Sequence, residues 1–186
     1  YTRTIVNIVP QCEYRGIQDV YSNLNRVVIK INSLVGKKVI DHFDLNNQFL
    51  DFGLNKIDLI HLYNGVSYGK SPWVSTFETS LPRLKQVIAR HQGKDVKNVP
   101  LKGKIRCAFE ALAGNACKHL IALSECSANM QRDLNSELPP DIGEIINQKL
   151  MVLHPPQKII VDSYWKKGVT FDGKVRFILV GAAFFR

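Results

Sequence analysis

The chain predicts an α/β fold, a Rossmann-like parallel sheet with helices on both faces, and three observations lead there. Short β-branched runs alternate with apolar stripes at helical spacing, the strands end in polar residues, and turn formers punctuate the joins. With 186 residues and 45% hydrophobic side chains, the chain can bury a core without disulfide or metal staples. A chain of this size hides roughly 70% of its unfolded surface.

The elements follow in order. Ile5 to Val9 and Val27 to Ile31 read as strands, with a helix between Gln11 and Asn25 carrying Ile17, Val20, Tyr21 and Leu24. Asp58 to Leu62 and Pro72 to Phe77 read as further strands. Ser80 is expected to cap a helix with Pro82 in its first turn and Leu84, Val87, Ile88 and His91 on one face. A next helix carries Ile105, Phe109, Leu112, Ala113 and Ala116, and runs into a strand at His119 to Leu123. Ser124 is expected to cap a helix holding Met130 and Leu134, and Lys149 to Leu153 closes the series as a strand before Pro155-Pro156.

Domain organisation follows from punctuation. Residues 1–163 are expected to form one domain, 164–173 a hinge-like linker, and 174–186, containing Phe177-Ile178-Leu179-Val180-Gly181, the first strand of a second domain.

Composition removes several function classes. Cys12, Cys107, Cys117 and Cys126 form no CxxC pair, so free, mostly buried thiols in a reducing compartment are expected. No apolar stretch approaches 18 residues. GxGxxG, GxxxxGK[ST] and GxSxG are absent, which argues against a dinucleotide dehydrogenase, a P-loop NTPase and an α/β-hydrolase. The five histidines do not cluster, so no metal is expected. Between Arg83 and Lys118 stand nine Lys or Arg against Asp95 and Glu110, a net +7 of the chain's +9. This basic side is either a solvated face or a surface for an anionic membrane or acceptor. Nucleic acid is not expected, because exposed aromatics do not interleave with the cations.

Four segments together carry a resemblance: Asp58-Leu59-Ile60-His61, PWVSTFETSLPR at 72–83, HLIALSECSANMQRDL at 119–134, and KLMVLHPPQ at 149–157. In this order they resemble the amino-terminal domain of a GT-B type, group 1 retaining glycosyltransferase, and LVGAA resembles the start of its carboxyl-terminal domain. The resemblance covers about residues 55 to 186. It implies an acceptor-side domain of a nucleotide-sugar-dependent enzyme of cell-surface or lipid-linked glycan synthesis, cytoplasmic and peripheral at the membrane. The alternative is a noncatalytic binding or partner module of a split glycosyltransferase.

The implied substrates are a nucleotide-diphosphate sugar donor and a saccharide or lipid-linked acceptor, with no cofactor. The implied partner is the missing carboxyl-terminal domain, in cis or in trans, so that residues 1–186 alone are expected to be inactive. The resemblance places Glu78 in the catalytic position and His61, Asn64, Thr76 and Arg83 in acceptor or sugar binding, with Arg186 as the donor-phosphate candidate.

The departures from the family pattern are specific. Pro10-Gln11-Cys12-Glu13 replaces a Gly-Gly loop, Thr76-Phe77-Glu78 replaces Thr-x-His, and Ala182-Ala183 precede Arg186. Two roles stay open for Glu78: stabilising oxocarbenium charge, or a helix N-terminal carboxylate favoured by the dipole. His61 reads equally as a pocket residue or a structural histidine. Ser124 and Glu125 read first as helix capping, and Trp73 as core.

Overall fold

A computed structural model describes residues 11–45, 48–91 and 101–154, leaving aside the side chains of Arg90 and His91. The protein is an α/β domain of Rossmann-like type built on a four-stranded parallel sheet. The elements are α1 (Val20–Val35), β1 (Ile60–Tyr63), β2 (Trp73–Phe77), α2 (Lys85–His91), α3 (Gly103–Ala113), β3 (Cys117–Ala122), α4 (Glu125–Asn135), α5 (Pro140–Lys149) and β4 (Leu150–Val152). Strand order is β1-β2-β3-β4, every neighbour parallel, so all four carboxyl ends lie along one edge.

Alternation along the strands separates two faces. Ile60, Trp73, Ser75, Phe77, Leu120 and Ala122 share one face by register, and all are buried. Helices α3, α4 and α5 pack on β3, with α5 in contact with both of the others. Phe109 and Leu112 of α3, Leu134 of α4 and Ile146 of α5 complete that core. The opposite face carries His61, Tyr63, Val74, Thr76, His119, Ile121 and Met151, and the described residues leave His61, Tyr63, His119 and Met151 exposed.

Four expectations about elements are corrected. Val27 to Ile31, expected as a strand, lies inside α1, and the helix expected from Gln11 begins at Val20. Asp19 decides the start: its carboxylate accepts from the N–H groups of Tyr21 and Ser22 and also from Leu50 N–H at 3.2 Å. Val20, Leu24, Val27, Ile31 and Leu34 then recur every three or four residues, a helical period that overrides the β-branched content. Gly36 ends the helix at φ 70°, a left-handed position that glycine adopts without a Cβ penalty. The outer stripe of α1 stays exposed, Leu34 at 87%.

Ser80 does not cap a helix. It is fully buried, and α2 starts only at Lys85, five residues further on, too far for its hydroxyl to serve the first turn. The cysteines are free, but Cys12, Cys107 and Cys126 are exposed and only Cys117 is buried, where desolvation pushes its thiol up to about 12. Ala116, expected on the α3 stripe, lies beyond the helix end at Ala113.

The strand expected at Ile5 to Val9, the linker 164–173, the strand 174–186 and the domain boundary near residue 163 lie outside the described residues. The remaining strands stand within two residues of their expected bounds, and Ser124 caps α4 as expected by accepting Ser127 N–H at 3.1 Å.

Candidate functional site

The carboxyl ends of β1 and β2 bring together Asn64, Thr76 and Glu78, and His61, expected to end its strand, is instead the second residue of β1, because that strand continues to Tyr63. His61 and Thr76 lie on the same sheet face, because His61 pairs in register with Val74 and Thr76 is two residues further along β2. Their side chains meet, His61 Nε2 to Thr76 Oγ1, at 2.7 Å. Thr76 is buried, while much of His61 meets solvent. The protein packed around the imidazole still lowers its pKa by desolvation, which favours the neutral ring.

Asn64 follows β1 in a left-handed conformation, φ 54°, that asparagine tolerates better than most residues. It is almost fully buried, at 7% exposure. Its N–H donates to Thr76 C=O at 2.8 Å, continuing the sheet one residue beyond β1. Its side-chain Oδ1 accepts Glu78 N–H at 3.2 Å. One residue past β2, Glu78 is itself exposed at the carboxyl edge. Arg83, half-buried, lies five residues further along the same connection, just before α2. Arg186 lies outside the described residues.

This arrangement suits polyhydroxyl recognition. A neutral imidazole, a threonine hydroxyl and a carboxylate supply both donors and acceptors at one strand edge, where α/β sheets bind ligands. The described residues contain no group of three His, Cys, Asp or Glu that could hold a metal ion.

Several side chains that shape this edge are not legible as site residues in the sequence. Ser127 donates its hydroxyl to Glu78 C=O, and Gln131 forms two hydrogen bonds with the backbone of Leu81. The spacing of Ser127, Gln131 and Asn135, four residues apart, is the only trace of this in the sequence, and on a surface helix it would read as a solvated face.

No family model matches the chain, and no curated protein or solved structure matches it either.

Proposed function

We propose that this chain is the acceptor-side domain of a nucleotide-sugar-dependent glycosyltransferase of cell-surface or lipid-linked glycan synthesis. The observation that carries the reading is the convergence of Asn64, Thr76 and Glu78 at the carboxyl ends of β1 and β2, with the His61 side chain set against Thr76. Order and spacing of the strand-end motifs along the sequence support it independently. In this reading His61, Asn64 and Thr76 orient sugar hydroxyls, and Arg83 holds an anionic group of the acceptor or donor.

Glu78 is the catalytic residue of the proposal. Its carboxylate faces positive charge that develops at the anomeric carbon as the bond to the nucleoside diphosphate breaks. The donor diphosphate is held by a carboxyl-terminal domain, in cis or in trans, with Arg186 at its entrance. Exposed Lys85, Lys102, Lys104, Arg106 and Lys118 offer a basic surface to an anionic acceptor or to the cytoplasmic face of a membrane. None of the described helices is long and apolar enough to cross a membrane.

A transfer assay tests the proposal. The full reading frame is incubated with UDP-, GDP- and dTDP-hexoses and a polyprenyl-phosphate or diacylglycerol acceptor, and nucleotide release and glycosylated product are measured. Product formation by the full reading frame, with none from residues 1–186 alone, is expected. Absence of turnover with every donor and acceptor would favour the partner-module alternative. Turnover by residues 1–186 alone would contradict the division of labour proposed here.

A further inference from the structure

Three polar side chains are buried along one side of α4 at four-residue spacing: Ser127, Gln131 and Asn135, at 3, 0 and 1% exposure. A helix that only filled a core would carry apolar residues there, because buried polar groups destabilise unless each finds a partner. Here each does. Gln131 Oε1 accepts Leu81 N–H at 2.7 Å, and its Nε2 donates to Leu81 C=O at 3.1 Å and to Asn135 Oδ1 at 2.9 Å. Asn135 Nδ2 donates in turn to Asn147 Oδ1 of α5 at 2.8 Å.

The target of this chain of amides is the segment after β2. Gln131 pairs with Leu81 through both of its peptide groups, as a neighbouring strand would. One turn earlier, Ser127 donates to Glu78 C=O, while Asn64 Oδ1 takes Glu78 N–H from the other side. The backbone of Glu78 is therefore gripped at both polar atoms, and Leu81 at both of its own. α4 supplies three of the four hydrogen bonds.

We propose that Gln131 is a positioning residue for the proposed sugar site: acting through Leu81, it fixes the segment 78–81 that presents the Glu78 carboxylate at the carboxyl edge. The inference rests on the reading of Glu78 given under Proposed function. Gln131 touches no substrate in this account.

Amide hydrogen exchange followed by NMR on the 186-residue chain tests it, using Gln131→Met and Gln131→Glu. In Gln131→Met, protection factors at Leu81 and Glu78 should fall about a hundredfold while those of Ile105 and Leu120 hold, the mark of local opening. An equal fall at all four would make Gln131 a packing residue and overturn the proposal. So would unchanged protection at Leu81.

Gln131→Glu keeps the proposal testable where Gln131→Met does not fold. A protonated carboxyl can accept from Leu81 N–H and donate to Leu81 C=O, whereas a carboxylate can only accept. Leu81 protection in that variant should rise as pH falls; a pH-independent protection factor would overturn the positioning role.

In the full reading frame, Gln131→Met should lower kcat about tenfold at temperatures where circular dichroism shows it folded. Wild-type turnover with an unprotected Leu81 would also overturn it. Failure of the wild-type transfer assay strikes the proposed function and leaves the exchange result standing, whereas a protected Leu81 in Gln131→Met strikes only the present inference.

Discussion

His61 and Thr76, on adjacent strands, meet side chain to side chain at 2.7 Å on the sheet face away from α3, α4 and α5. The parallel register causes the meeting: a shift of one residue would send one of the two side chains to the opposite face.

The partial burial of His61 predicts a pH dependence of stability. Desolvation holds the His61 pKa below the ordinary 6.5, so in acid the unfolded chain takes up a proton before the folded one. The stability associated with the neutral ring is thus complete above the unfolded pKa. It is lost as pH falls through 6.5 toward the lower folded value. Urea midpoints measured from about pH 8 to about pH 5 should fall less steeply for His61→Gln than for the wild type. Parallel curves would remove His61 as the source.

A second prediction concerns Lys149, which ties α5 to the end of α3. Its Nζ donates to the carbonyls of Leu112, Ala113 and Gly114 at 3.0, 2.7 and 2.7 Å, and desolvation lowers its pKa. A cation there gives partners to the last carbonyls at a helix C-terminus, Gly114's accepting Cys117 N–H as well, and it opposes the helix dipole. Lys149→Met should cost about 1–3 kcal/mol in urea unfolding, as a charged hydrogen-bond donor is lost. An unchanged midpoint would contradict the capping role.

The third prediction turns on Gly143, where α5 comes close to the end of α4. A Cβ built on Gly143 collides with the backbone carbonyl of Asn135, which cannot swing aside as a side chain would. Helix propensity alone would make Gly143→Ala stabilising by about 1 kcal/mol. Overpacking should reverse the sign and cost about 1–3 kcal/mol instead. Calorimetric melting of the variant checks it, and a raised Tm would show that the helices have room.

What was legible in the sequence follows from which signals are local. β2, β3, α3 and α4 announce themselves by period and by the Ser124 cap, and the positions of Thr76 and Glu78 at the end of β2 are legible too, whereas His61, which the motif places at a strand end, stands second in β1, because the strand runs on to Tyr63. In α1 the β-branched residues Val27, Val28, Ile29 and Ile31 carry a strand signal that competes with the helical spacing. α5 has only a weak local signal, Pro140 in its first turn and Ile142, Ile145 and Ile146 at helical spacing, interrupted by Gly143. The grip of Ser127 and Gln131 on segment 78–81 could not be read at all: the partners stand 49 and 50 residues apart, and nothing local distinguishes a buried glutamine from a solvated one.

The most direct test of the proposed function is the kinetics of Glu78→Gln in the full reading frame, set beside urea unfolding of both forms. If the carboxylate stabilises charge that appears only in the transition state, kcat and kcat/KM fall together by about a hundredfold, equivalent to roughly 3 kcal/mol. Stability then changes by no more than about 1 kcal/mol. Turnover equal to the wild type would contradict the account and leave Glu78 as a surface carboxylate at a strand end.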